Sequence, residues 1–467
     1  MLSLSLEFLI IFAINIFIFS LGLITQLAII HIFFIFLLLL FFDILFFLLI
    51  NLEQKISMYC WFLMWTLGWT GLGYLRVFYL NRPYNNSFIF LSLTFIFLSI
   101  FIMTIFYLFF INQRLGLKGF ILNIKHLERI KLEKLYLYIS LFSYLLILIR
   151  IFDAGGLIPF FTTPYFLRSF SIDVAYFYAG RIVFLVPTIF MSLVIIFLRE
   201  EKFVIKLGVL INLLIMLTVI IIEGNRGVLL LIIPFLYLIY RFKKIEKKPW
   251  LKYFIIVALI ILLLVPFLIY MGAWRNKEAI NLTSITIVDS LFSGLTFDTI
   301  DNYLVILQEY SPSDYMWGET LIGPLVTFIP RNIWESKPMG LGRIFVEDYY
   351  GGSTGFSVGI YFLGEFFANF GYLGLIIIPP LISLVIYAYD YYFKISKNMT
   401  SKVLLIIIFN STLGIVRGDF MSAGSNVVYF YLFYFFLLRI INFFVISSFS
   451  IEKNGSFSTS AGRKNEI

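Results

Sequence analysis

Residues 27–50 read LAIIHIFFIFLLLLFFDILFFLLI, and their one formal charge is at Asp43. A helix needs about 20 apolar residues to cross the hydrocarbon core of a bilayer, so this stretch is long enough to span one. The backbone finds no water inside a bilayer, and a helix pairs its own N–H and C=O groups along its length. The stretch therefore predicts a membrane-spanning helix.

The composition of the whole chain agrees with this prediction. Of its 467 residues, 61% are hydrophobic and 13% are charged, whereas soluble chains average about 45–50% apolar and about 25% charged residues. An ordinary water-soluble enzyme is thereby excluded. One cysteine, Cys60, and two histidines, His31 and His126, are too few for a disulfide or for a Cys-based or His-ligated metal centre. We expect no metal and no other cofactor.

Apolar runs between charged breaks predict about twelve membrane-spanning helices, and thus an all-α polytopic membrane protein. The predicted spans are 4–24, 27–50, 56–79, 88–111, 135–151, 174–198, 203–222, 227–241, 252–271, 371–393, 402–417 and 425–446. They divide the chain into a membrane domain of nine helices, a long extracytoplasmic loop with a re-entrant or surface helix, a membrane domain of three helices and a disordered cytoplasmic tail. The bounds of these four regions are 1–271, 272–370, 371–446 and 447–467.

The cations predict the orientation of the chain. Two basic segments, 112–134 and 241–252, must be cytoplasmic by the positive-inside rule, and twelve helices then place both termini in the cytoplasm. With this topology 17 lysines and 6 arginines lie inside, whereas 10 arginines and 2 lysines lie near or beyond the outer face. Planar guanidinium groups bind phosphate bidentately, so the outer face is suited to hold an anion, and the net charge of +9 needs no nucleic-acid partner. For Arg76, Arg150 and Arg181 we expect only side chains that snorkel at helix ends.

The long outer loop, about residues 272–356, is predicted to be functional because loops of this length without a span usually are. Its first half, residues 285–310, has apolar residues at near-helical spacing that are broken by Asp289, Asp298 and Asp301. This pattern predicts short helices on the surface.

Two short outer turns pair an arginine with a carboxylate at the membrane boundary. The first is EGNRG, residues 223–227, with Glu223 and Arg226, and the second is RGDF, residues 417–420, with Arg417 and Asp419. Charge at membrane depth costs roughly 2.5 kcal/mol or more, so it favours a function. The structural alternative for each turn is a local ion pair.

Two further stretches lie in the long loop and after it. In IPRNIWESKP, residues 329–338, prolines bracket Arg331, Trp334 and Lys337, and Arg343 follows the segment. The cations suit a diphosphate, and the Trp ring suits the apolar face of a sugar. The alternative is a loop on the headgroups anchored by Trp334. In GEFFANFG, residues 364–371, Glu365 has an apolar setting that suits a general base or acid. The alternative is a carboxylate neutralised by a nearby arginine.

Taken together, these stretches resemble the Wzy-type polymerases of O-antigen or capsular oligosaccharide repeat units. The resemblance rests on Pro-Arg-x-x-Trp-x-x-Lys-Pro at 330–338, Gly-Asn-Arg-Gly at 224–227, Gly-Glu-x-x-x-Asn-x-Gly at 364–371 and the late Arg-Gly-Asp at 417–419. It implies a metal-independent glycosyltransferase related to the C-type membrane fold, in the bacterial plasma (inner) membrane. Such an enzyme moves a growing glycan from its undecaprenyl diphosphate onto a fresh lipid-linked repeat unit.

The resemblance and the positions of the residues together give expected roles. A carboxylate takes the proton from the attacking hydroxyl, and the candidates are Glu365, Asp419 and Glu223. The expected sugar contact is Trp334. The departing diphosphate is expected to be bound by Arg226, Arg331, Lys337, Arg417 and Arg343. The related ligases rely on an outer-loop histidine, which this chain lacks, so the base stays open among the three carboxylates.

The expected partners are the lipid-linked oligosaccharide, membrane lipids, a polysaccharide chain-length regulator and a flippase. Two other functions fit the same sequence. A lipid-linked oligosaccharide flippase also has about twelve helices and cationic groups, but it needs its cations in a central cavity. An O-antigen ligase uses the same donor with a different acceptor.

Overall fold

The computed structural model describes residues 29–51, 58–113, 132–162, 180–199, 201–222, 298–329, 333–351, 357–396, 398–418, 420–421, 423–430 and 432–434. Every regular element in these ranges is a helix, and they contain no strand. The α-helices are α1 Ile29–Asn51, α2 Met58–Tyr79, α3 Asn86–Gln113, α4 Leu132–Asp153, α5 Leu157–Thr162, α6 Val186–Leu198, α7 Phe203–Ile222, α8 Thr299–Glu309, α9 Glu319–Val326, α10 Leu341–Tyr350, α11 Phe362–Phe370, α12 Gly374–Ile395 and α13 Met399–Leu413.

The described residues match the predicted class of helical membrane protein. Five helical stretches are long and apolar enough to cross a membrane: Asn86–Gln113, Leu132–Asp153, Phe203–Ile220, Phe362–Ile395 and Met399–Val416. Helices also occupy residues 29–50 of the predicted span 27–50, residues 58–79 of the span 56–79 and much of the span 174–198. The predicted spans 4–24, 227–241 and 252–271, most of the span 425–446 and the predicted tail 447–467 lie outside the described residues, so the total of twelve stays a prediction.

Helix α2 is the central helix of the bundle. Eighteen of its 22 residues are buried, and it packs against α1, α8, α12 and α13. Its sequence explains this position, because Trp, Tyr, Thr and Gly replace much of the Leu and Ile found in the lipid-facing helices. Gly73 permits the closest crossing, since a Cβ atom there would lie 2.3 Å from Ile300 Cγ1 of α8. The helix α8 therefore packs directly against α2.

Hydrogen bonds between helices fix the direction of α3 and α12. Ser99 Oγ donates to Leu375 O at 2.9 Å, and Ser383 Oγ donates to Met103 O at 2.8 Å, so these two helices run parallel. A bundle of this kind has two ends. We use "charged end" for the end that contains Arg76 of α2 and Asp301 of α8, and "opposite end" for the end where α2 begins.

At the opposite end, Asp390 of α12 holds the start of α2. Its Oδ1 accepts the Met58 N–H at 2.8 Å, and its Oδ2 accepts the Tyr107 hydroxyl of α3 at 2.5 Å. The first N–H groups of a helix have no partner within that helix. A carboxylate from a neighbouring helix satisfies one of them here, and it ties three helices together.

We expect Asp390→Ala to lower the free energy of unfolding by about 2–6 kcal/mol, because the Met58 N–H and the Tyr107 hydroxyl would each lose a buried acceptor at about 1–3 kcal/mol. Asp390→Asn keeps one acceptor oxygen and should lose about half as much. Reversible unfolding in mixed detergent micelles measures both variants. Equal stability of Asp390→Ala and the wild type would show that these bonds do not hold the bundle.

Residues 285–310 were predicted to fold as surface helices, and the structure corrects this prediction for their described part, residues 298–310. Helix α8, the described part of that segment, is buried along Thr299–Leu304 and at Ile306, and it packs between α2 and α11. Helix α11 is also interior, with eight of its nine residues buried, so a surface position does not fit it either. The sequence suggested a surface because Asp298 and Asp301 interrupt the apolar pattern. Cations from other parts of the chain make the burial of these carboxylates possible.

Candidate functional site

An ion pair between Arg76 of α2 and Asp301 of α8 forms the base of the charged end. The side chains are 4% and 9% exposed, and Arg82 Nε approaches the other oxygen of Asp301 at 3.7 Å. Isolated buried charges are very costly, so a pair of this kind needs each partner. The expectation that Arg76 snorkels at a helix end is therefore wrong, since its guanidinium lies inside the protein.

The same correction applies to Arg150. This side chain is 3% exposed and pairs with Asp153 at 3.2 Å, three residues further along α4. Of the three arginines expected to snorkel, Arg181 is the one whose side chain lies outside the described part.

Asp298 lies beside this pair, directly before the first residue of α8. The residue is 5% exposed, and its carboxylate makes no capping bond to the first turn of the helix. Burial raises the pKa of Asp298 to about 6, while the nearby guanidinium groups of Arg76 and Arg417 and a hydrogen bond with Asn302 limit the rise. A carboxylate with a pKa close to neutrality can both accept and release a proton under physiological conditions.

Arg417 reaches the same place from the other half of the chain. It follows the 3₁₀ turn Gly414–Val416, and its guanidinium carbon lies 5.2 Å from the centre of the Trp69 ring of α2. Gly359 is required beneath it, because a Cβ atom there would lie 2.5 Å from Arg417 O. A half-buried guanidinium stacked on an aromatic ring is held in orientation while it keeps its N–H donors in one plane.

Glu365 of α11 is joined to the turn that carries Arg417. The residue has no exposed surface, and its carboxylate accepts a hydrogen bond from the Phe420 N–H. Two stretches that the sequence predicted separately, GEFFANFG and RGDF, therefore meet in the fold. The hydrogen bond from the Phe420 N–H gives Glu365 a role in fixing the turn, and its predicted role as base stays a prediction.

Asn369, on the same helix as Glu365, fixes the segment before α9. Its side-chain amide donates to Thr320 Oγ1 at 2.7 Å and to Glu365 O at 2.8 Å, and its Oδ1 accepts the Gly318 N–H at 2.9 Å. Both the nitrogen and the oxygen of its side-chain amide are thereby paired within the protein. The predicted Gly-Glu-x-x-x-Asn-x-Gly motif is thus a folding element that joins α9, α11 and the Arg417 turn.

The other described candidates lie in and after the loop that follows α9. Lys337 Nζ donates to Thr327 O at 3.1 Å and to Ile329 O at 2.9 Å, which are carbonyls at the end of that helix. Trp334 is 37% exposed, and its indole N–H donates to Ser336 Oγ at 3.0 Å. Arg343 Nε bonds Glu347 Oε1 at 3.0 Å on half-exposed side chains of α10. Their predicted contacts with diphosphate and sugar stay predictions.

Four predicted site residues lie outside the described part of the chain: Glu223, Arg226, Arg331 and Asp419. The structure adds three residues that the sequence did not select, namely Arg76, Asp298 and Asp301. Two patterns in the sequence mark these residues. Arg76 is a cation in the last turn of a predicted span, and Asp298 and Asp301 are two aspartates spaced three residues apart in an apolar segment. Neither pattern shows that they meet, because the two segments are far apart in the chain.

The arrangement at the charged end combines guanidinium groups with a carboxylate that titrates near neutrality, which suits binding of an anion and transfer of a proton. Among the described residues, no group of three or more His, Cys, Asp or Glu side chains is placed to hold a metal ion. Comparisons of the chain with protein-family models, with curated proteins and with solved structures found no match.

Proposed function

We propose that the protein is a membrane glycosyltransferase that joins oligosaccharide repeat units carried on undecaprenyl diphosphate, on the outer face of the bacterial plasma membrane. Its product would be an O-antigen, capsular or related exopolysaccharide. A C-type fold with twelve spans and cytoplasmic termini is part of this proposal. So are a chain-length regulator and a flippase as partners.

One observation carries the proposal. The buried Glu365 carboxylate holds the Phe420 N–H and thereby fixes the turn that presents Arg417 on Trp69, beside Asp298. The turn and α11 belong to the stretches that support the resemblance to the repeat-unit polymerases. A cation fixed in this way, next to a carboxylate that can be protonated, meets the two requirements of transfer from a lipid diphosphate.

The first requirement is charge stabilisation at the leaving group. Negative charge develops on the diphosphate as its bond to the sugar breaks, and fixed cations stabilise that charge most when they need not reorganise. Arg417 is proposed for this role, and Arg226, Arg331, Lys337 and Arg343 are proposed to complete the diphosphate site. The second requirement is removal of a proton from the attacking hydroxyl.

The rival function is transport of the lipid-linked unit. A flippase alternates access to a central site, so its cations have to be reachable from both sides of the membrane. Three cations, Arg76, Arg82 and Arg417, instead lie at one end of the bundle, close to Asp298 and Asp301. This placement favours the enzyme. A ligase would use a site of the same kind, so only the acceptor distinguishes it from a polymerase.

Glycan profiling of a strain that lacks this protein tests the proposal in cells. We expect surface glycans with a single repeat unit, because export would continue without polymerisation. Complete loss of exported repeats would indicate a flippase instead. Long glycans that stay on their lipid carrier would indicate a ligase. Either of the last two results contradicts the proposed function.

A further inference from the structure

We infer that Asp298 is the general base of the charged end, and that Asp298 and Thr299 together receive the attacking hydroxyl group of the acceptor sugar. This inference rests on the proposed function, and it assigns the base to a residue that the sequence did not select. It follows from the position of Asp298 and from the unpaired hydroxyl of Thr299, the next residue. It follows also from the partners of the neighbouring carboxylates, since Asp301 pairs with Arg76 and Glu365 accepts the Phe420 N–H.

Among the described residues, the charged groups of the charged end belong to α2, the connection after it, α8, α11 and the turn that carries Arg417. Asp301 of α8 is paired with Arg76 of α2 and approached by Arg82 of the connection that follows α2. Glu365 of α11 is committed to the Phe420 N–H. The neighbouring groups that act electrostatically on Asp298 itself are Arg76, Arg417 and the Asn302 side chain.

Thr299, the next residue, is 1% exposed. Its buried hydroxyl has no hydrogen-bond partner among the described residues. Its methyl carbon lies 2.9 Å from where a Cβ atom of Gly359 would be, close to Arg417 O. Buried hydroxyl groups in folded proteins are almost always paired. An unpaired hydroxyl on the residue that follows a titratable carboxylate in the chain is available to a hydroxyl-bearing ligand.

The proposed reaction step transfers a glycosyl group from the diphosphate to the acceptor hydroxyl. The acceptor hydroxyl oxygen forms a bond to the anomeric carbon of the donor sugar. The bond from that carbon to the diphosphate oxygen breaks, and its electron pair leaves with the diphosphate, which Arg417 stabilises. The hydroxyl proton passes to the Asp298 carboxylate, which then releases it to water. Asp298 has to be deprotonated to accept the proton, so the rate should fall as the pH drops through about 6.

The experiment measures elongation of lipid-linked repeat units by the purified full-length protein in lipid vesicles, over pH values on both sides of the pKa of Asp298. We expect Asp298→Asn to lower kcat about 100-fold or more and to abolish the acidic limb of the profile. Asp298→Glu should restore part of the rate and return the limb, with a shifted midpoint. Asp348→Asn, an exposed carboxylate of α10, serves as the matched control and should leave rate and profile unchanged.

Infrared titration of the same preparations gives a readout that needs no activity. The wild type minus Asp298→Asn difference spectrum should contain one carboxyl stretch that titrates at about pH 6. The assignment is overturned if the wild type elongates repeats and Asp298→Asn elongates them as fast as Asp348→Asn, or if the difference spectrum contains no such band. A wild type that does not elongate overturns the proposed function, and the base assignment with it.

Discussion

Arg417→Ala should lower the rate of repeat-unit elongation about 100-fold or more, because removal of one fixed group that stabilises transition-state charge costs roughly that factor. Arg417 lies at the charged end on the Trp69 ring, and its turn is fixed by the Glu365 carboxylate. Arg417→Lys keeps the charge but loses the planar pair of donors, so it should recover only part of the rate. Radiolabelled lipid-linked repeats, with chain length resolved on gels, measure these effects.

The matched control is Arg199→Ala. Arg199 also forms an ion pair, with Glu133, but on partly exposed side chains of another part of the bundle. The Arg199→Ala variant should elongate lipid-linked repeats at the wild-type rate. If Arg417→Ala is folded, as judged by a monodisperse elution profile, and still elongates like Arg199→Ala, the proposed contact with the diphosphate is wrong.

Arg76→Met should lower the free energy of unfolding by about 3–5 kcal/mol, because it leaves the buried Asp301 carboxylate without its main partner. Asp301→Leu should cost a similar amount for the same reason. The double variant Arg76→Met/Asp301→Leu should recover most of the loss, since well-packed apolar residues often replace a buried pair without net cost. Arg82 limits the loss in Arg76→Met only slightly, as it is 3.7 Å from Asp301 and half exposed.

Unfolding in mixed micelles gives all four stabilities, and the double-mutant cycle gives the coupling energy of the pair. A coupling energy near zero, with each single variant as stable as the wild type, would mean that Arg76 and Asp301 do not interact in the folded protein. That result would remove the ion pair on which the burial of α8 depends.

The sequence predicted the helices well where their length and composition are decided locally. The described part of the stretch 27–50, residues 29–50, and the predicted spans 88–111 and 203–222 are helical in the structure, because an apolar run of this length in a bilayer has no other way to pair its backbone. Helix α2 was also predicted, but its central position was not. That position depends on the small and aromatic residues that other helices pack against, and their partners are not adjacent in the chain.

The site was predicted in part. Glu365 and Arg417 were selected because charges at the membrane boundary need a reason, and the structure joins their segments through the Phe420 N–H. Asp298 and Asp301 were assigned to a surface because carboxylates in an amphipathic segment usually face water. Their burial depends on Arg76 and Arg417, which come from opposite halves of the chain. Periodicity within one segment has no information about a cation from another.

Purified protein in vesicles, with lipid-linked repeat units as the only substrate, tests whether this chain elongates lipid-linked oligosaccharides. We expect glycans of several repeats on the lipid carrier, with release of undecaprenyl diphosphate, without nucleotide sugar, ATP or an ion gradient. Movement of the lipid-linked unit between leaflets with every glycan still one repeat long would contradict it.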